Sequence, residues 1–147
     1  MKPYLVALDN SPRASHVLAA AIALAEATST KLVLFRAVGL PSDLPIEAYA
    51  MSPDGVVDAL QQRAKRELDD ASRAIPAGIR FETRVEVGTA WQAICDAGKA
   101  ADAALIVLGS HGHSALDRLL GTTAAKVVNH ADRSVLVVRQ PELLDAT

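Results

Sequence analysis

The residues best suited to chemistry stand together in one stretch: Gly109-Ser110-His111-Gly112, then eight residues, then Gly121-Thr122-Thr123. Glycines let a backbone approach a ligand closely. The first amides of a helix have no internal acceptor, and hydroxyls beside them add further donors. The stretch leaves an apolar run and ends where a helical pattern begins, so its spacing describes an anion site built on backbone. A helix dipole contributes only about 0.3–1 kcal/mol per charge, so several amides and hydroxyls must act together there. A second group, Asp9-Asn10-Ser11, follows the first apolar run and sets a carboxylate and a hydroxyl at its end. The same three residues also read as a plain turn and helix cap.

Other reactive side chains carry less. His111 and His113 have no carboxylate or cysteine beside them, which makes a poor metal site. Arg118 and Lys126 suit either a phosphate or a solvated face. Cys95 sits inside a helical pattern with no neighbouring base and reads as an inert thiol. Trp91 reads as a helix–sheet contact rather than a stacking ring. Gly98-Lys99 lacks the rest of a Walker A loop, no G-x-G-x-x-G opens a helix, and Gly109-Ser110-His111-Gly112 is no nucleophile elbow. No second acidic residue stands in a motif that would hold metal for phosphoryl transfer. The stretch is equipped to hold an anion and shows no means of attacking one.

The elements that must position these residues are legible as five short apolar runs, 4–8, 31–38, 79–87, 103–108 and 134–139, alternating with helical patterns. Residues 11–28 place Ala14, Val17, Leu18, Ala21, Ile22 and Ala25 on one stripe, with Ser11 as cap and Pro12 as first helical residue. Val57, Leu60, Ala64, Leu68, Ala71 and Ile75 repeat the stripe, and 89–99 and 122–131 supply two shorter helices. Such alternation predicts an α/β fold with an open parallel sheet and helices on both faces. Strict alternation in 79–87 predicts an edge strand with one wet face, whereas the other four runs suit strands covered on both faces. The proline-containing connection 39–53 is long enough for a lid, or for a merely tolerated insertion. Residues 1–140 read as a single domain and 141–147 as a tail.

Composition narrows the partners. Of 147 residues 28 are alanine and five are aromatic, and 15 basic residues face 17 acidic ones for a net charge of −2. Small side chains favour closely apposed layers. Without a basic excess or a stacking platform, polymeric nucleic acid is excluded as a partner. The single Cys95 precludes an internal disulfide and a multi-cysteine zinc site. No apolar run approaches the ~18 residues of a membrane span, and the expectation is a cytoplasmic protein without a membrane role.

The sequence resembles the universal stress protein family over nearly its whole length. Leu5-Val6-Ala7-Leu8-Asp9-Asn10-Ser11 looks like the family's opening strand and its following Asp, Gly109-Ser110-His111-Gly112 like its glycine motif, and Ser134-Val135-Leu136-Val137-Val138-Arg139 like its closing strand. The family's ATP-binding branch shows G-x2-G-x9-G-[S/T]; here the second spacing is eight, one residue short, which leaves both ends of the loop in register with the motif and its middle, 113–120, without a counterpart. The resemblance implies strand order 3-2-1-4-5. It also implies a homodimer through the fifth strand (Val135, Leu136, Val137, Val138), and bound ATP, with Mg²⁺ or Mn²⁺ carried in by the nucleotide. Asp9 would meet ribose and phosphate, the backbone near Ala37 the adenine, and Gly109, Gly112, Gly121, Thr122 and Thr123 the phosphates. Ala7 would lie against the ligand. In that strand order Asp9 and Gly109 fall at the switch point where α/β sheets bind ligands. The function implied is a stress-response sensor or regulator with an unidentified regulatory protein partner and at most slow, incidental ATP hydrolysis. A family module that has lost ATP, and less readily a small nucleotidyl- or phosphotransferase, are the alternatives.

Overall fold

A computed structural model describes residues 1–39, 53–110 and 119–139. Its strands are β1 (Tyr4–Ala7), β2 (Leu32–Val38), β3 (Phe81–Val87), β4 (Leu105–Gly109) and β5 (Ser134–Val138). The helices between them are α1 (Ala14–Thr28), α2 (Pro53–Ser72), α3 (Ala90–Ala100) and α4 (Thr122–His130). All pairings are parallel, and the strands lie in the order β3-β2-β1-β4-β5. The implied order is therefore observed. The interior of the 39–53 connection and the tail from 141 lie outside the described residues.

The apolar runs fill both faces of the sheet. Leu5, Val33, Phe35, Ile106 and Leu108 point to the side covered by α3 and α4, where Ile94, Ala97 and Val127 meet them. Val6, Leu32, Leu34 and Val107 point to the opposite side, against Val17, Leu18, Ala21 and Ala25 of α1 and Leu68 of α2. Successive side chains of a strand alternate faces, so one unbroken apolar run serves two cores. Alanine lets α1 settle directly on the strands, since Ala21 and Ala25 are buried where a larger side chain would hold the helix away.

The two edges differ in character. On β3 the face away from α2 carries Glu82, Arg84 and Glu86, and Glu82 bonds Lys31, just before β2, at 2.7 Å and Arg84 at 3.3 Å. This is the wet face that strict alternation predicted. On β5 no charge interrupts Val135–Val138, and Leu136 remains 38% exposed. The fifth strand is thus less covered than its uniform apolar run suggests.

One local expectation is corrected. Helix α1 begins at Ala14 with Arg13 as its N-cap, rather than at Pro12 behind Ser11. Ser11 is engaged in the preceding turn: its Oγ accepts the Arg13 amide at 3.3 Å and its carbonyl accepts the Ala14 amide at 3.2 Å. Trp91 packs against the core on the α3–α4 side of the sheet, as expected, and also reaches α4, its ring 4.6 Å from that of His130, with Lys126 Nζ 5.7 Å from its centre.

Gly98 sets the distance between α3 and the sheet. A Cβ at this position would stand 2.9 Å from Ile106 Cδ1 and 3.1 Å from Ile106 Cγ1. Gly98→Leu is expected to destabilise the fold by about 1–3 kcal/mol through overpacking, measured by urea denaturation.

Candidate functional site

The carboxyl ends of the three central strands open into one cleft of about 260 Å³. Ala7, Leu8 and Asp9 come from the end of β1, Phe35, Arg36 and Ala37 from β2, and Gly109 and Ser110 from β4. Gly121, Thr122 and Thr123 close it from the start of α4. Of the residues expected at a site, Ala7, Asp9, Ala37, Gly109, Gly121, Thr122 and Thr123 all line this cleft. Gly112 lies outside the described residues, as do His111, His113 and Arg118. Lys126 is turned to Trp91 and does not line the cleft.

The glycine stretch is brought together by backbone. The Gly121 amide donates to Ser110 O at 2.7 Å, and the Ser110 amide donates to Val138 O at 3.0 Å. The first bond holds Gly121 to Ser110, and the second ties Ser110 to the end of β5. Gly121 is the N-cap of α4, in an extended conformation (φ −64°, ψ 165°), and the Ala125 amide returns to Gly121 O at 2.9 Å. The amides of Thr122, Thr123 and Ala124 have no acceptor within the helix and stand beside two hydroxyls at the cleft. Their chemistry suits an anion.

Asp9 forms a turn and also lines the cleft. Its Oδ1 accepts the Ser11 amide at 2.9 Å, an Asx turn leading into α1. A carboxylate has about four lone-pair positions, so one such bond leaves acceptor capacity at the exposed mouth of the cleft.

Sequence reasoning missed Arg36. Its guanidinium is 13% exposed; Nε donates to Leu8 O, Nη2 donates to Asp9 O at 3.0 Å, and Nη1 meets Glu67 Oε2 at 2.7 Å. One side chain therefore fixes the last two carbonyls of the β1 end and ties them to α2. The available signal was a lone charge inside an otherwise apolar run, since a charge carried into a core requires partners. Ser11, Arg13 and Ser110 also line the cleft without having been singled out for it.

Among the described residues no group of three or more His, Cys, Asp or Glu is placed to hold a metal ion. Cys95 lies away from the cleft, and desolvation followed by the charges of Asp96 and Asp132 raises its thiol pKa, which disfavours the reactive thiolate. No helix among the described residues is long and apolar enough to cross a membrane.

Residues 1–139 match the family model described as the universal stress protein family. The chain belongs to that family. A universal stress protein of Synechocystis sp. is 32% identical over 147 residues, covering 92% of this chain and 96% of the relative. Among solved structures, universal stress protein UspA of Lactobacillus plantarum superposes with a TM-score of 0.78 at 24% identity, over 94% of this chain and 98% of that one. A universal stress protein solved in complex with cAMP superposes with a TM-score of 0.60 at 25% identity, over 93% and 97% of the two chains. The order β3-β2-β1-β4-β5 with helices on both faces is the family's fold.

The Arg36–Glu67 pair makes a testable link between α2 and the cleft. The Arg36 hydrogen bond holds the Glu67 carboxyl below its usual pKa, partial burial opposes this, and the charge of Arg36 and the bond from Arg63 add to the lowering. A carboxyl made more acidic by folding contributes stability that is fully present above its unfolded pKa of about 4.5 and is lost as pH falls through the lower folded value. Glu67→Gln is expected to lower the urea midpoint at pH 7. It should also flatten the decline that the unaltered protein shows as pH is taken below about 4.5.

Proposed function

We propose that this universal stress protein binds an adenine nucleotide, ATP foremost, and acts as a homodimeric regulator rather than as an enzyme. The observation that carries the reading is the convergence of Ala37, Asp9, Gly109, Gly121, Thr122 and Thr123 on a single cleft at the sheet's switch point. The β2 end offers backbone and the small Ala37 to a base, Asp9 offers a carboxylate to a ribose, and the α4 amides with Thr122 and Thr123 suit phosphates. The relative that holds cAMP gives this ligand class a precedent on the same fold. A Mg²⁺ or Mn²⁺ ion would arrive with the phosphates, met by Asp9 and water rather than by a protein cage. Asp9 is the one carboxylate among the described residues lining the cleft, and none of those residues is a histidine. That set holds a nucleotide better than it activates water, in keeping with slow, incidental hydrolysis.

The shortened spacing before Gly121 favours a second reading, an interaction module of the family without nucleotide. Gly121→Val separates the two. The conformation of Gly121 is open to any residue, so the variant should fold, while its branched side chain blocks the backbone from a phosphate. Millimolar Mg-ATP is expected to raise the melting temperature of the unaltered protein by several degrees and that of Gly121→Val by less than about one. Denatured protein should release adenine nucleotide resolvable by anion exchange. A protein that carries none and shows no shift fits the second reading.

The homodimer is proposed through β5. That strand has one sheet neighbour, and Leu136 at 38% exposure leaves apolar surface at an open edge. Leu136→Asp is expected to convert a dimer to a monomer in sedimentation velocity, with the fold retained by circular dichroism. The regulatory protein partner would then be engaged by the assembled pair.

A further inference from the structure

The β1–β2 ladder stops short of the residue that carries the carboxylate. Its registered pairs run from Tyr4↔Leu32 to Ala7↔Phe35, and one further bond follows them, from the Leu8 amide to Phe35 O at 2.9 Å. Strand β2 goes on to Val38, paired with β3. Asp9 thus leaves the sheet beside a strand that continues without it. At this point a side chain takes over from the ladder: Arg36 donates to Leu8 O through Nε and to Asp9 O through Nη2.

Strand parity puts Arg36 where it can do so. Leu32 and Leu34 face α1 and α2, and alternation sends Arg36 to the same side. Its guanidinium therefore lies between the end of β1 and α2, where Nη1 meets Glu67 Oε2 at 2.7 Å and the other oxygen of Glu67 accepts Arg63 Nε at 3.1 Å. A planar guanidinium holding acceptors on all three of its nitrogens has its orientation set, which the point charge of an ammonium could not match. With the side chain only 13% exposed, water competes little for these bonds. Asp9 and Arg36 both line the cleft, and the part of Arg36 that bears on Asp9 is main-chain support rather than neutralisation of its carboxylate.

Resting on the nucleotide reading of the cleft, we infer that Arg36 is a positioning residue for sugar selection: by holding the β1 end it aims the Asp9 carboxylate at the ribose hydroxyls, so that this chain prefers a ribonucleotide to its dideoxy counterpart. Arg36 acts through Asp9, and Glu67 keeps Arg36 in place. A carboxylate already oriented gives its full hydrogen-bond energy to a hydroxyl, whereas one on a released strand end first pays for being ordered.

Isothermal titration with ATP and with 2′,3′-dideoxyATP, both in Mg²⁺, tests the inference on the unaltered protein and on Arg36→Met, Arg36→Lys and Glu67→Gln. The quantity read is the ratio of the two affinities, because a generally loosened fold weakens both ligands alike and leaves that ratio unchanged. The unaltered protein is expected to bind ATP at least about tenfold more tightly than the dideoxy compound, since hydroxyls donating to a carboxylate form charge-assisted bonds. Arg36→Met should bring the ratio below about threefold by weakening ATP, with the dideoxy compound changed less than about twofold. Arg36→Lys and Glu67→Gln should give intermediate ratios. Circular dichroism and the melting temperature verify folding, and if Arg36→Met does not fold the other two variants carry the test. A ratio unchanged in the folded variants overturns the inference. Equal affinity of the unaltered protein for the two compounds also overturns it and leaves the nucleotide reading standing. Failure to bind either compound overturns the nucleotide reading and the positioning role with it.

Discussion

The structure depends on the handedness of its crossovers. Parallel strands joined through a helix must cross right-handedly. From β1 the chain moves outward to β2 and β3, which sends α1 and α2 to one face of the sheet. From β3 it returns across to β4 and on to β5, which sends α3 and α4 to the other. The ends of β1 and β4 are neighbours whose continuations must part, and no side chain is needed to open the gap between them. The cleft is a consequence of strand order, and its lining then decides what it can hold.

That lining is mostly backbone and small side chains, which changes the meaning of the composition. Alanine lets α1 lie directly on the sheet, Gly98 lets α3 approach Ile106, and Ala7, Ala37, Gly109 and Gly121 leave main-chain groups accessible at the cleft. A near-neutral charge and few aromatics argue against a nucleic-acid polymer, yet neither basic excess nor aromatics are needed to hold a phosphate with amides and hydroxyls. Recognition through main-chain groups is set by backbone path more than by side-chain identity. The superposition at a TM-score of 0.78 with 24% identity shows such a path kept while most side chains differ.

Much of this was legible locally. Alternation in 79–87 marks an edge, the unbroken apolar runs of β1, β2 and β4 mark strands buried on both faces where that of β5 does not, and glycines at a strand end with threonines at a helix start mark the glycine side of the cleft. Strand order is different in kind: no local pattern states which strands are neighbours, and it entered through family resemblance. Side-chain roles that depend on distant partners were also hidden. Arg36 occupies a run read for its apolarity, and its partners Leu8, Asp9 and Glu67 come from two other elements. The start of α1 was misplaced because a hydroxyl before a proline fits a helix cap, whereas here Asp9 and Ser11 each claim a backbone amide for the turn that precedes the helix.

Asp9 shows why that turn matters more than the helix start it delays. One carboxylate oxygen is committed to the Ser11 amide, and the carbonyl of the same residue is held by Arg36. Side chain and main chain of Asp9 are thus fixed from opposite directions, one by the turn into α1 and one by a guanidinium anchored on α2 through Glu67. A carboxylate on an unrestrained loop would lose conformational entropy each time it oriented toward a ligand, whereas this one is oriented by folding. The same arrangement couples the cleft mouth to α2, the helix that follows the 39–53 connection. A shift of α2 that breaks the Arg36–Glu67 pair would release the β1 end, and a ligand held at Asp9 would in turn favour the position of α2 that keeps the pair intact. Binding energy and helix position are then two sides of one equilibrium.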